Sequence, residues 1–186
     1  MQNLEIKCGY ADHRLAARLS VEEVHAEYRG RLVQTDTYFD IYPGRLKLRQ
    51  NVLHPPHQER RPKFWDELIA YRRPNRRSPK SSIFQLWPVH DRSKALKFFS
   101  DSFGIKVRVS KSRRFYIADN LRIHVDSVIG LGRFVEFELA VNAAHPLTSC
   151  RKQMQRLLVL FKIPADSLVR YSYSDLLMAK RASRGK

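Results

Sequence analysis

Glu136 and Glu138 stand two residues apart in the run Phe134-Val135-Glu136-Phe137-Glu138. In a strand, that spacing sends both carboxylates off one face. Carboxylates so close repel each other unless a cation lies between them. The same spacing pairs Glu5 with Lys7, Lys47 with Arg49 and Lys111 with Arg113, and it sets Arg122, His124 and Asp126 on one face. Lys and Arg take phosphate oxygens, while carboxylates hold a hard divalent cation that bridges those phosphates. Two arrangements satisfy the alternation. One is an antiparallel sheet with an apolar core face and a wet charged face. The other closes the sheet into a barrel whose lumen is the charged face, and such a lumen suits a polyphosphate.

These residues need strands to position them, and strands predominate. Leu4 and Ile6 oppose Asn3, Glu5 and Lys7 over residues 3–8. Strands over 35–40 and 45–50 flank the turn signal Tyr42-Pro43-Gly44. Further strands are predicted over 67–73, 105–117, 121–127 and 133–141, the last two joined by a hairpin at Gly130-Leu131-Gly132. Helices are predicted over 21–28 (Ser20 and Glu23 as a capping box), 92–103 (Asp91 to Gly104), 146–162 (Pro146 at its first position) and 166–179. Residues 51–66 and 74–82, rich in proline, serine and cations, read as loops. The order is an α+β pattern, a single unit over 1–179 followed by a basic tail, 180–186, expected to fray.

Composition narrows the partners. The 35 Lys and Arg against 18 Asp and Glu give a net charge of +17, which favours nucleic acid, anionic membrane or phosphorylated small molecules. A hydrophobic content of 43% argues against disorder, and 186 residues bury a core without staples. No run approaches the ~20 apolar residues of a membrane span. The first residues lack a secretion pattern, so a cytoplasmic protein is expected. Cys8 and Cys150 are too few and too far apart for a disulfide framework or a zinc knuckle.

Asn3-Leu4-Glu5-Ile6-Lys7 resembles the opening ExExK motif of the CYTH family, the triphosphate tunnel metalloenzymes. Thr35-Asp36-Thr37-Tyr38-Phe39-Asp40 and Gly44-Arg45-Leu46-Lys47-Leu48-Arg49 resemble its class IV adenylate cyclase branch. Residues 68–74, 109–114, 120–126, 130–138 and 172–177 follow in family order, so the resemblance spans 3–177. It implies a closed antiparallel eight-stranded β-barrel with flanking helices, a divalent metal, Mg2+ or Mn2+, and ATP or another triphosphate as substrate. Glu5, Asp126, Glu136 and Glu138 match the metal-side carboxylates. Lys7, Lys47, Arg49, Lys111, Arg113 and Arg122 match the phosphate-gripping cations, joined by Arg73 or Arg72 as strand register decides. Lys7, Arg113, Glu136 and Glu138 are the expected catalytic set.

One position departs from the motif: Asn3 stands where the first acidic residue belongs, and it offers an uncharged oxygen. The leading expectation is cyclisation of ATP to cyclic AMP and pyrophosphate. Hydrolysis of inorganic, thiamine or nucleoside triphosphate is the alternative, and a non-catalytic RNA- or polyphosphate-binding barrel is a third reading. A monomer or homodimer is expected. No Gly-rich GKS/GKT loop is present. His124 reads as a proton shuttle or, more commonly, as a hydrogen-bonded structural residue. Cys8 reads as core, and Trp65 and Trp87 as packing groups. The basic cluster over 60–80 reads as a flank of the tunnel mouth that attracts anions, or as a weak nucleic-acid surface.

Overall fold

The computed structural model describes residues 2–56 and 61–184. Strict alternation in β1 (Gln2–Gly9) sends Leu4, Ile6 and Cys8 to one face and Asn3, Glu5 and Lys7 to the other. The chain continues through α1 (His13–Glu22), β2 (Glu27–Phe39), β3 (Arg45–His54), β4 (Lys63–Arg72), β5 (Lys80–Val89) and α2 (Arg92–Phe103). It then forms β6 (Ile105–Ala118), β7 (Leu121–Val128), β8 (Gly132–Ala140), α3 (Leu147–Leu160), a 3-10 turn at Ala165–Ser167, and α4 (Tyr173–Arg184). The strands pair in the order β1-β5-β4-β3-β2-β6-β7-β8 and close into an antiparallel barrel. Closure sets Glu5 opposite Glu138 and Lys7 opposite Glu136 between β1 and β8. The closed arrangement, rather than the wet-faced sheet, is the one the chain adopts.

What the strands turn outward decides where the core sits. Leu4, Ile6, Ile123, Val125, Val135, Phe137 and Leu139 pack against Ala16 of α1 and against Cys150, Met154, Leu157 and Phe161. The Phe137 and Phe161 rings meet edge-on at 4.8 Å between centroids. Cys8 is fully buried in this cluster, as expected of a core residue. A second cluster seats Tyr173 and Leu177 of α4 on Tyr38, Val107, Val109, Val128 and Phe134. Among the described residues no such cluster covers the outer face of β4 and β5, where Phe64, Ile83 and Trp87 are exposed.

Several elements differ from the sequence reading. The first helix runs over His13–Glu22 instead of 21–28. Asp12 caps it by accepting from the Arg14 and Leu15 amides, whereas the Ser20 hydroxyl donates back to the Ala16 carbonyl at 2.8 Å. β2 starts at Glu27, and Gly30 sits in its bulge with φ of 117°, where a Cβ would lie 2.4 Å from the His54 carbonyl oxygen. Residues 51–54 and 63–66, read as loop, are ladder-paired strand. Residues 80–82 begin β5, an unrecognised strand that is apolar on both faces through Ile83, Phe84, Leu86 and Trp87.

The helix predicted over 166–179 begins at Tyr173, because residues 168–169 instead extend β1. Leu168 bridges Cys8, and the Val169 amide donates to the Lys7 carbonyl at 2.8 Å. α4 then runs on through residues expected to fray, with the Lys180 ammonium donating to the Gly130 carbonyl. Pro146 caps α3 from outside its first turn. No described helix is long and apolar enough to cross a membrane.

Candidate functional site

The inward faces enclose a cavity of about 460 Å3. It is lined by Asn3, Glu5 and Lys7 from β1, Lys47 and Arg49 from β3, Lys111 and Arg113 from β6, Arg122 and His124 from β7, and Glu136 and Glu138 from β8. Arg73, just past β4, also lines it, while Arg72 is exposed, which settles the register left open by the sequence. Alternation thus gathers every expected cation and three of the four expected carboxylates into one chamber.

The cations are organised by a carboxylate that was not singled out in the sequence. Asp36 of β2 is 1% exposed and accepts from Arg49 Nε at 2.6 Å, Arg49 Nη2 at 2.8 Å and Lys47 Nζ at 3.0 Å. Lys111 Nζ stands 3.5 Å from the same carboxylate. Burial alone would raise the Asp36 pKa, but Arg49, Lys111 and Lys47 hold it well below the usual carboxylate range. Burial and the neighbouring Arg49 draw Lys47 down to about 8, and burial draws Lys111 well below the ordinary lysine value. One carboxylate facing three largely buried cations leaves positive charge uncompensated, which an anion would relieve. The signal was available: Asp36 shares its face with Gln34 and Tyr38 and pairs directly with Arg49.

Asp126 is the fourth expected metal-side carboxylate, and the structure places it elsewhere. It is fully buried behind Arg113, accepting from Arg113 Nε and Nη2, both at 2.7 Å, and from the Tyr173 hydroxyl at 2.8 Å. Despite burial, Arg113 holds its pKa down to about 2. Asp126 thus fixes the guanidinium, and Arg113 Nη2 donates onward to Glu136 at 2.8 Å. Lys7 Nζ lies 3.3 Å from Glu136 and 3.7 Å above the Tyr173 ring centre. Burial opposes ionisation of Glu136, yet Lys7 and Arg113 hold it well below the usual carboxylate range. Glu5 behaves oppositely: burial, with Glu136 and Glu138 nearby, raises it against the pull of Arg73, which it contacts directly.

Glu136 and Glu138, with His124, form a group that could hold a divalent cation. His124, Glu136 and Glu138 offer donor atoms within 4.8 Å of one another. His124 Nδ1 is buried and makes no hydrogen bond, standing 3.6 Å from Glu136 and 3.8 Å from Glu138. This donor set, two carboxylates beside a buried unpaired nitrogen, fits a divalent cation.

At its other end the cavity changes character. Leu32, Trp65, Phe84, Leu86, Phe115 and Ile117 line it, and Trp65 (38% exposed) and Leu86 (42%) reach solvent there. Trp65 is therefore a wall of the chamber instead of a packing group, and Trp87 is on the outer surface. The basic cluster over 60–80 disperses. Arg73 enters the cavity, Lys80 is buried and donates to the Arg76, Val169 and Arg170 carbonyls, and Arg61, Lys63, Arg72, Arg76 and Arg77 are exposed. Arg60 lies outside the described residues.

Comparison with known proteins agrees with this geometry. No curated protein matches the chain. Among solved structures, the PH1012 protein of Pyrococcus horikoshii superposes with a TM-score of 0.74 at 17% identity, over 94% of this chain and 98% of that one. A candidate adenylate cyclase of Vibrio parahaemolyticus gives 0.72 at 16% identity, over 95% and 97%. A candidate adenylyl cyclase of Hippeastrum, described as having a dominant triphosphatase activity, gives 0.58 at 13% identity, over 98% and 96%. These likenesses show a shared fold. The CYTH domain family model matches residues 1–173, nearly the whole barrel with its charged lumen, and the chain accordingly belongs to the CYTH family.

Proposed function

We propose that the chamber is a metal-assisted active site for a triphosphate that carries an organic group, and that its leading reaction converts ATP to cyclic AMP and pyrophosphate. One observation carries this reading: a single cavity joins buried Lys47, Lys111 and Arg113 and half-buried Arg49 to an apolar strip made by Trp65, Phe84 and Leu86. The cations take the phosphates and the strip takes the base. An inorganic anion would leave the strip without a role.

In this scheme Lys47, Arg49 and Lys111 grip the terminal phosphates, and the arriving anion favours the ammonium forms that burial had disfavoured. Arg113, clamped by Asp126, is aimed where charge develops on the leaving group. A divalent cation at Glu136 and Glu138 supplies charge neutralisation and lowers the pKa of a nearby hydroxyl. The 3′-oxygen forms its bond to the α-phosphorus as the bond to the bridging oxygen breaks. Pyrophosphate leaves and the hydroxyl proton passes to solvent.

Hydrolysis is the second reading, favoured by the solvent exposure of Trp65 and Leu86, which lets water reach the chamber. It is also the activity named for the Hippeastrum neighbour. The test is product analysis with ATP, thiamine triphosphate and inorganic triphosphate, each with Mg2+ or Mn2+. Cyclic AMP with pyrophosphate supports the leading reading, and orthophosphate release selects hydrolysis. Absence of turnover would overturn both.

A further inference from the structure

We infer that His124 is a nitrogen ligand to the cation held by Glu136 and Glu138, and that this chain's site therefore selects Mn2+ over Mg2+. The inference rests on the metal-assisted reading above and goes beyond it in naming a donor and a preference. Register puts His124 of β7 directly opposite Glu136 of β8. Its Nδ1 lies 3.6 Å from Glu136 Oε2 and 3.8 Å from Glu138 Oε1, beyond hydrogen-bond reach of either. The residue is 5% exposed, and that nitrogen makes no hydrogen bond, with only the two carboxylates at ion-pair distance. Such an atom is costly to bury unless something binds it. A cation between the three donors satisfies it and also relieves the repulsion between the two carboxylates.

The other candidate donors are engaged. Glu5 is bound to Arg73. Both Asp126 oxygens accept from Arg113, and one of them also accepts from Tyr173. Asn3, where an acidic residue would stand in the family motif, brings no charge. Glu136 is shared with Lys7 and Arg113, whereas the closest cationic partner of Glu138 is Arg122 at 4.0 Å. The third donor to join the two carboxylates is therefore a nitrogen. Mg2+ takes oxygen ligands and keeps its waters, so an imidazole contributes little to it. Mn2+ also accepts carboxylates but, as a larger and less tightly hydrated transition cation, takes an imidazole nitrogen more readily than Mg2+ does.

The experiment uses the full chain, freed of metal and loaded with MnCl2, alone and with inorganic triphosphate. Pulsed electron paramagnetic resonance reads the nuclei bound to Mn2+. The expected result is a directly coupled imidazole 14N, replaced by a 15N pattern when only the histidines are 15N-labelled. That labelling arm needs no variant. In His124→Gln the coupling disappears, and Mn2+ affinity falls by at least the ~10–100-fold that loss of an outer-shell partner costs, with a much smaller change for Mg2+. Bound Mn2+ with no histidine nitrogen overturns the inference and leaves the metal-assisted reading standing. Equal loss of Mn2+ and Mg2+ affinity in a folded His124→Gln overturns the preference. Failure of both cations to bind, with or without triphosphate, overturns both readings.

Discussion

The barrel has two unlike sides, joined by a third set of strands. On β1, β7 and β8 both faces are buried: the outer one under α1 and α3, the inner one carrying Glu5, Lys7, His124, Glu136 and Glu138. On β4 and β5 the outer face is bare, with Phe64 and Trp87 more than 70% exposed, and the inner face is largely apolar. The clamped side thus carries the carboxylates and the histidine, and the bare side carries the strip proposed to receive an organic group. Groups that do chemistry need a rigid support, because small displacements cost rate; an apolar contact tolerates more movement. The third group of strands, β2, β3 and β6, supplies Lys47, Arg49, Lys111 and Arg113; Asp36 ties the first three together, and α4 packs on Tyr38, Val107 and Val109.

The largest expected contrast is in packing. Phe137→Ala opens a cavity between barrel and α3 and should cost about 3–5 kcal/mol in urea unfolding. A loss below about 1 kcal/mol would mean that the clamped side is not the stiff one.

Acid should act through the buried carboxylates. Asp126 has a folded pKa of about 2, below its unfolded value. Its contribution is therefore complete above the ordinary aspartate range and is lost as pH falls through the folded value. Stability should decline between about pH 4 and pH 2 by about 2–3 kcal/mol on account of this group alone. Asp126→Asn should be less stable at pH 7, having lost one partner of a buried pair, and should show a shallower acid decline. An identical acid profile in both proteins would contradict the assignment.

A smaller effect should separate grip from folding. Lys111→Met removes one of three cations around Asp36 while Arg49 and Lys47 remain. Calorimetry should show triphosphate binding weakened by about 1.5–3 kcal/mol, the value of a hydrogen bond to a charged group. Urea stability should be unchanged or higher, since like charges are relieved. Weaker binding of triphosphate and adenosine alike would indicate a distorted fold.

The smallest effect belongs to the bare side. Trp87→Ala should change stability by no more than about 0.5 kcal/mol, as surface substitutions do. A loss comparable to that of Phe137→Ala would show that this face is covered by something in solution.

The clamped side was the legible side. β1, β7 and β8 alternate cleanly because one face meets an aliphatic core and the other a charged lumen, and two-residue spacing reads that contrast directly. Glu136, Glu138 and Lys7 stand out on that basis. β5 was not recognised because Ile83, Phe84, Leu86 and Trp87 give it no polar face, and because Ser-Pro-Lys-Ser-Ser ahead of it resembles a loop. The first helix was displaced because Ser20 and Glu23 mimic a cap, while Asp12 does the capping. Asp126 is assigned to the metal side by the family resemblance, and parity agrees in putting it on the face of His124. Only the three-dimensional arrangement shows that Arg113 and Tyr173 occupy its oxygens. Asp36 was legible in principle, since it pairs with Arg49, but that pairing follows from register, which the sequence does not state.

The central claim is that the buried cations form a site for a triphosphate, and thermal melts test it most directly. With inorganic triphosphate and Mn2+ at a hundredfold excess over the dissociation constant, stabilisation should reach about 2.7 kcal/mol. Triphosphate with chelator should give less. Sulfate at equal ionic strength should give little, because one small anion does not span both Lys47 and Arg113. Equal shifts under all three conditions would contradict the account and reduce the chamber to a generally salt-sensitive basic surface.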